Sequence, residues 1–377
     1  MLLKMFLFLN KILKKFNCYS TIIVFALAVL LPCYFLMFFR GNINISGVIL
    51  MFFFVLLAIG FSGYRSLKGF MFTIMIFTGV AAALYYPRYF VQIGNFKLTT
   101  LIIPLIQIIM FGMGTSMSIK DFIAIFKSPK GVLIGISAQM CIMPLIGYVL
   151  AKFSYFPPEI AAGIILIGCS PSGVASNVMA YLAKANLALS ITITSAATLI
   201  SPFVTPILMK LLAGEFIEID VLTMMWSIVK MIILPIGAGL CFNKFVGQKI
   251  NWLNYVMPIL SMLAIGVIII VITASGRDNL LDIGFILMFL VIIHNLLGYF
   301  LGYFYARIFN LTKHDARTIA LEVGMQNGGL ASGIANSLGK IATMGLASAV
   351  FSPLMNITGS VLASYWNKRP IKDDNKN

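Results

Sequence analysis

Hydrophobic residues fall in twelve runs along the chain, separated by short polar or basic stretches. Most runs hold about 20 residues, the length that a helix needs to cross the hydrocarbon core of a bilayer. The pattern therefore predicts an all-α polytopic membrane protein with twelve helices. The runs cover residues 20–39, 46–64, 69–86, 98–117, 131–151, 159–183, 187–209, 221–243, 255–275, 283–306, 316–338 and 341–366.

Two of the runs are interrupted at their centres. Residues 159–183 contain "GCSPSGVASN", and residues 316–338 contain "LEVGMQNGGLASG". Proline removes a backbone donor and glycine relaxes the helical turn, so each sequence frees backbone groups at mid-depth. Free backbone groups are tolerated there only when protein buries them or when they line a watery cavity. We therefore predict two broken helices beside an internal cavity.

The order of the runs indicates a repeat. When the first two runs are set aside, ten remain as two sets of five, and the broken helix is fourth in each set. An odd number of spans per repeat gives opposite orientations, which is typical of secondary transporters. We predict a ten-helix core of two inverted five-helix repeats with two crossing broken helices, plus two extra N-terminal helices. The expected division is 1–66 for an N-terminal interfacial helix and the two extra transmembrane helices, 67–211 and 212–366 for the repeats, and 367–377 for a cytoplasmic tail.

Composition and charge agree with a membrane protein. The chain is 60% apolar and only 10% charged, whereas soluble domains are about 25% charged. The net charge of +16 does not indicate nucleic-acid binding, because the basic residues lie in the gaps between the runs. With the N-terminus inside, inside segments hold nineteen Lys and Arg and outside loops hold seven. This positive-inside bias places both termini in the cytoplasm.

Glu322 is the only acidic residue near the middle of a run. A charged carboxylate at that depth costs about 2.5–3.5 kcal/mol or more. One interpretation is a protonated or hydrogen-bonded structural glutamate, and the other is a cation ligand or a proton carrier. The nearest basic residue by depth, Lys230, is expected to extend toward the membrane surface. We favour the cation ligand or proton carrier.

Polar residues elsewhere in the runs provide oxygen atoms for such a site. Ser176 and Asn177 follow the first break, and Ser190 and Thr194 share one helix face at a spacing of four. A single hydroxyl in a membrane helix usually bonds a carbonyl of its own helix, but the group together predicts a small oxygen-lined pocket. Gln139 is a further buried amide that needs a partner. The residues alone admit either Na⁺ or H⁺.

Residues 63–366 resemble the bile acid:sodium symporter family. The resemblance is carried by "FGMGTSMSIKDF", by "GCSPSGVASNVMAYLAKANLALSITITSAATLISP" and by "LEVGMQNGGLASG". The first two runs lie outside the usual ten-helix core of the family. The resemblance implies two co-transported Na⁺ ions that share the Glu322 carboxylate. It places the first ion among Ser176, Asn177, Ser190, Thr194 and Glu322, and the second among Gln139, Glu322, Val323, Met325 and Gln326.

The resemblance also implies a substrate site beside the crossing of the broken helices. Asn327 would contact the substrate from one half, and Gly173 and Val174 from the other. Some members of the family have threonine at the position of Val174. Free amides at the two inner half-helix N-termini would favour an anion there.

The expected function is Na⁺-coupled transport of a small organic anion by alternating access, in a bacterial inner (plasma) membrane. A proton-coupled carrier or an exporter on the same scaffold is the alternative. An intramembrane enzyme would need paired aspartates, a Ser/His pair or a metal cluster, and one glutamate with the distant His294 provides none of these. The sequence leaves open whether the anion is a bile acid, a pantoate-like acid or a keto acid, and it leaves the oligomeric state open.

Overall fold

The computed structural model describes residues 18–64, 67–117, 129–245, 252–369 and 371. The chain separates into two compact units, Met1–Phe90 and Val91–Asn377. The expected N-terminal interfacial helix lies outside the described residues, as does most of the expected tail 367–377. The described residues are mostly helical.

The described residues of the first unit form three long helices. The first of them includes a π turn, Ala26–Leu30, shortly before Pro32, whose missing amide interrupts the α-helical hydrogen bonding. Gly47 allows the second and third helices to approach closely, because a Cβ at this position would lie 2.5 Å from the ring of Tyr85. The hydroxyls of Tyr34 and Tyr85 lie 3.0 Å apart and join the first and third helices. These helices are α1 Cys18–Phe39, α2 Ile43–Ser62 and α3 Met71–Tyr85.

The second unit begins with a small antiparallel hairpin, in which Gln92–Ile93 pairs with Phe96–Lys97. The rest of its described residues is helical apart from turns and the breaks described below. Its helices are α4 Ile102–Ser116, α5 Pro129–Ser154, α6 Pro158–Cys169, α7 Ala175–Leu182, α8 Leu187–Ala213, α9 Val221–Phe245, α10 Leu253–Ser275, α11 Arg277–Ile308, α12 Lys313–Gly324, α13 Gly328–Ser337 and α14 Gly345–Asn367.

The two predicted helix breaks are confirmed. Residues 170–174 separate α6 from α7, and residues 325–327 separate α12 from α13. The halves before the breaks are the most deeply buried helices of the unit. Every residue of α6 from Ile160 to Cys169 is buried, and so is every residue of α12 from Ala316 to Gly324. The residues of the two breaks are themselves buried, except for Val174.

Within the described residues, nine helices are long and apolar enough to cross a membrane. The predicted runs 69–86, 159–183 and 316–338 correspond to shorter helices, namely α3 and the two split pairs. The chain is thus a polytopic membrane protein. The count of twelve spans, the inverted repeats and the repeat boundaries stay predictions.

Candidate functional site

The two broken segments pair with each other. Ser172 and Gln326 form an isolated antiparallel β-bridge. On either side of it, the Gly173 amide donates to the Met325 carbonyl (2.9 Å), and the Asn327 amide donates to the Pro171 carbonyl (2.8 Å). Backbone groups that the helix breaks leave without helical partners are thus satisfied deep in the protein.

The residues of the breaks fit this close pairing. Pro171 cannot donate a hydrogen bond, and in this position only its carbonyl is needed. A Cβ at Gly173 would lie 2.9 Å from the Gln326 carbonyl oxygen, so a larger residue would push the segments apart. Asn327 ends the second break as the N-cap of α13, where its side-chain oxygen accepts from the Leu330 amide at 3.0 Å.

Glu322 lies three residues before the second break and is completely buried. Four hydroxyl groups lie within hydrogen-bond distance of its carboxylate. Ser176 Oγ is 2.6 Å and Ser190 Oγ is 2.5 Å from Oε1. Ser172 Oγ is 2.6 Å and Thr194 Oγ1 is 2.8 Å from Oε2. All four donors come from the first broken helix or from α8, so the carboxylate of the second broken helix reaches across to the other half.

Asn177 completes this cluster. Its Oδ1 lies 2.8 Å from Ser190 Oγ and 3.2 Å from Thr194 Oγ1. Each of these two hydroxyls therefore faces two acceptors, Glu322 and Asn177, but carries only one proton. The cluster has more short oxygen–oxygen contacts than hydroxyl protons, so these contacts cannot all be hydrogen bonds at the same time. Such an electron-rich group of oxygens is suited to a cation or an additional proton.

No basic side chain in the described part of the chain pairs with Glu322. Two ion pairs in that part of the chain join Arg277 to Asp278 and Lys340 to Glu159, and neither involves Glu322. A buried carboxylate without a cationic partner is costly. The hydroxyls offset part of that cost, and a bound monovalent cation would balance the charge.

A second polar group, centred on Gln139, also contacts the paired breaks. Gln139 on α5 donates through Nε2 to the Ser170 carbonyl (3.0 Å) and to Gln326 Oε1 (2.8 Å). Gln326 Nε2 in turn donates to the Val323 carbonyl at 2.6 Å. The remaining oxygen of Gln139, Oε1, is buried without a hydrogen-bond partner among the described residues.

The structure thus gathers the residues expected at the first ion into one cluster. Of those expected at the second ion, it joins Gln139, Gln326 and Val323. The Met325 carbonyl is engaged by the Gly173 amide. Among the described residues, the hydrogen bonds of Glu322 go to serine and threonine and do not include Gln139 or Gln326.

The residues expected at the substrate lie at the paired breaks but differ in accessibility. Gly173 is buried and Asn327 is 7% exposed, whereas the Val174 side chain is 42% exposed. The first amides of α13 are not all free, because Gly328 donates to Gln326 and Leu330 donates to Asn327. The accessible part of this group is therefore the turn at Val174.

Sequence reasoning missed two polar residues of the site. Ser172 donates directly to Glu322, and Asn295 on α11 donates through Nδ2 to the Gly324 carbonyl (2.7 Å), at the end of α12. Thr358 on α14 donates to Asn295 Oδ1 at 2.5 Å and fixes the orientation of that amide. The only sequence signal for Asn295 is its position inside an apolar run, beside His294.

Comparisons with known proteins identify the family of the chain. The sequence model of the Sodium Bile acid symporter family matches residues 103–283. The chain is 40% identical to the "Uncharacterized sodium-dependent transporter YocS" of Bacillus subtilis (strain 168), over 70% of this chain and 82% of the relative. It is 31% identical to the "Probable sodium/metabolite cotransporter BASS1, chloroplastic" of Arabidopsis thaliana, over 71% of this chain and 67% of the relative. The chain therefore belongs to the sodium bile acid symporter family, whose members are membrane transporters and not enzymes.

Proposed function

We propose that this sodium-coupled transporter carries a small organic anion together with two Na⁺ ions by alternating access. The observation that carries the proposal is the Glu322 cluster: a buried carboxylate, four hydroxyls from the other half, and no basic partner in the described residues. Hard cations prefer several oxygen ligands with limited negative charge. This cluster offers that combination.

The first Na⁺ would bind among Ser176, Asn177, Ser190, Thr194 and Glu322. Ser190 and Thr194 each have a lone pair to offer when their proton turns toward the other acceptor. The ion would then supply the positive charge that the crowded oxygens lack. Because the ligands come from α7, α8 and α12, binding would tie both broken helices together.

The second Na⁺ would bind near Gln139, Val323, Met325 and Gln326 and share Glu322. The support is the unpartnered buried Gln139 Oε1, which is an oxygen ligand without a competing hydrogen bond in the described residues. Occupancy would require Gln326 Nε2 to release the Val323 carbonyl. The second site would therefore form through a local rearrangement of side chains.

The anion would bind where Val174 is accessible, with Gly173 and Asn327 forming the turn beneath it. Na⁺ binding orders the same breaks that shape this surface, so the substrate site would be complete only with the ions in place. Val174 presents no hydroxyl to the substrate. Recognition at this position would therefore rest on apolar contact and on backbone groups.

Matched contacts at the outer ends of the split helices support inverted repeats over 67–211 and 212–366. Near the start of α6, Glu159 pairs with Lys340 and accepts from Thr343, both of which follow α13. Near the start of α12, Asp315 accepts from Asn186, which follows α7, at 2.7 Å. Each broken helix is thus held at its start by the loop that leaves the other.

The same proposal includes twelve spans in a bacterial inner membrane, with both termini in the cytoplasm. Its support is the positive-inside bias of nineteen Lys and Arg against seven. In alternating access, α4, α9 and α10 would rock against the body that contains the broken helices.

The driving force is sufficient for accumulation. For two Na⁺, a tenfold gradient supplies about 2.7 kcal/mol. One net charge that moves through ~100 mV adds about 2.3 kcal/mol. The total of about 5 kcal/mol would support accumulation on the order of a thousandfold.

Transport by proteoliposomes tests this proposal. Candidate radiolabelled acids, first ranked by thermal shift with and without Na⁺, are offered under Na⁺, K⁺ or pH gradients. We expect uptake only with a Na⁺ gradient, a Hill coefficient for Na⁺ near two, and loss of uptake in Glu322→Gln. Glu218→Gln, at an exposed loop residue, is the matched control. Uptake driven by a pH gradient without Na⁺ would contradict the proposal.

A further inference from the structure

A groove on the surface of the second unit is lined by none of the residues proposed to bind the ions or the substrate. It lies between the C-terminal halves of α11 and α14 and has a volume of about 770 Å³, within the roughly 300–1,000 Å³ of small-molecule pockets. Its lining is mainly aromatic and aliphatic. The lining includes Phe300, Tyr303, Phe304, Val361, Tyr365 and Trp366.

The groove faces outward. Phe300 is 57% exposed, Phe304 is 49% exposed and Val361 is 56% exposed. On a polytopic membrane protein, exposed apolar side chains along transmembrane helices contact lipid. The aromatic rings border a concave surface, so a lipid acyl chain there would be held on several sides.

Basic residues stand at one end of the groove. Arg369 lies over the Tyr365 ring, with Cζ 4.5 Å from the ring centroid, and donates to the Tyr365 hydroxyl. Lys368 and Arg369 are both exposed. The aromatic lining therefore leads to the Arg369 guanidinium, and the exposed Lys368 precedes it in the chain.

Hydrogen bonds hold the backbone that carries these charges. Arg317 lies over the Trp366 ring and donates to the Trp366 carbonyl (3.3 Å) and to the Arg369 carbonyl (2.8 Å). It fixes the turn that follows α14, and hence the backbone of Lys368 and Arg369. Ordered basic groups at the mouth of an apolar groove are a pattern that recognises an anionic headgroup attached to a hydrocarbon chain.

Another groove of the same unit has an apolar lining but a different arrangement of basic residues. This second groove, of about 840 Å³, is lined by residues of α4, α9 and α10, but its basic residue, Lys230, lies within α9 and not beyond a helix end. At the end of α9, Lys244 lies over Phe245 but lines neither groove. Of these two grooves, only the one between α11 and α14 combines an aromatic lining with a basic residue beyond a helix end.

We propose that this groove binds an anionic phospholipid. One acyl chain lies along Phe300, Phe304 and Val361, and the headgroup phosphate contacts Lys368 and Arg369. Each basic residue near a membrane surface contributes about 1 kcal/mol to anionic lipid binding, which corresponds to about a fivefold change in affinity.

Native mass spectrometry of the full-length protein in neutral detergent tests the assignment, with phosphatidylglycerol and phosphatidylcholine of identical chains as probes. We expect phosphatidylglycerol to be retained at least about fivefold more strongly. Lys368→Ala with Arg369→Ala should abolish this preference. Val361→Trp, which fills the groove, should weaken both lipids. Lys244→Ala should leave the preference unchanged.

Several outcomes would overturn the proposal: equal retention of both lipids by the unaltered protein, a preference that survives in the double variant, or the same loss in Lys244→Ala. Glycerol phosphate that competes as strongly as the intact lipid would also overturn it, because the groove would then contribute nothing. The thermal unfolding midpoint of each variant is measured, and lipid retention is compared only between variants with similar midpoints. If the double alanine variant unfolds early, Lys368→Gln with Arg369→Gln replaces it.

Discussion

The hydroxyl of Ser172 and the carboxylate of Glu322 lie 2.6 Å apart, although 150 residues separate them in the chain. Ser172 belongs to the break of the first split helix, and Glu322 precedes the break of the second. The contact therefore joins the carboxylate of one half to the unwound segment of the other. Any ion that binds Glu322 would act on both breaks at once.

Replacement of Ser172 by alanine should weaken Na⁺ binding. A hydrogen bond to a charged group contributes about 1.5–3 kcal/mol, and its loss leaves the ionised carboxylate less well stabilised. We expect the Na⁺ concentration for half-maximal thermal stabilisation to rise about tenfold or more. The measurement is a thermal-shift titration with NaCl at constant ionic strength.

Ser170→Ala provides the control for this prediction. Ser170 is also buried in the same break, but its hydroxyl donates to the Leu166 carbonyl of its own helix at 2.9 Å. It should lower the unfolding midpoint slightly and leave the Na⁺ titration unchanged. Equal Na⁺ responses in the two variants would mean that the Glu322 contact has no part in ion binding.

Thr194→Val should remove an oxygen ligand while it preserves the shape of the side chain. Thr194 faces both Glu322 and Asn177, whereas Thr192 on the same helix donates only to the Ala188 carbonyl within its own helix (2.7 Å). Thr192→Val is therefore the matched control. We expect Na⁺-dependent uptake to require about tenfold more Na⁺ in Thr194→Val and to be unchanged in Thr192→Val.

The sequence predicted the features that are visible within a single run of residues. Glu322 is conspicuous because a carboxylate at mid-bilayer is costly, and the breaks are conspicuous because proline and glycine disrupt a helix. The i, i+4 spacing of Ser190 and Thr194 correctly placed both hydroxyls on one face. In the structure, both reach Glu322.

The missed residues depend on tertiary contacts. Ser172 is an ordinary turn residue until the two breaks are seen to pair, and the role of Asn295 depends on the position of the Gly324 carbonyl. The π turns at Ala26–Leu30 and Val229–Ile233 were not predicted either. Their extra residue per turn is set by local hydrogen bonding, which hydrophobic patterning does not report.

Gly173→Ala should separate the paired breaks. The added methyl group would lie 2.9 Å from the Gln326 carbonyl oxygen, and the backbone on both sides is fixed by hydrogen bonds. We expect Na⁺-dependent uptake to fall at least about tenfold, because small displacements at a binding site cause losses of that order or greater. Protein yield and size-exclusion profile are measured in parallel.

Gly266→Ala is the control for this steric effect. Gly266 lies within α10, and a Cβ there would meet no atom within 4 Å. Alanine in a helix interior is also favoured over glycine by about 1 kcal/mol. Uptake should therefore be retained and the unfolding midpoint unchanged or raised. Full uptake by Gly173→Ala would show that the breaks do not need their close pairing.

The network of Asn295 and Thr358 should position the end of α12 for ion binding. Asn295 is fully buried, and its amide joins the Gly324 carbonyl to the Thr358 hydroxyl. Asn295→Ala leaves that carbonyl without this donor, which costs about 1–3 kcal/mol of stability. Because Gly324 follows Glu322 by two residues, the Na⁺ concentration for half-maximal uptake should also rise.

A double-mutant cycle separates this role from general destabilisation. Thr358→Val removes only the hydroxyl that orients Asn295, so the effects of Asn295→Ala and Thr358→Val on the Na⁺ requirement should be strongly non-additive. Asn279→Ala is the control. Asn279 lies near the start of α11, and the substitution removes the hydrogen bond from its side-chain amide to the Ala342 carbonyl. It should alter stability alone.

Additive effects in the cycle would show that Thr358 does not act through Asn295. A Na⁺ requirement unchanged in both single variants would show that the end of α12 needs no support from α11 and α14.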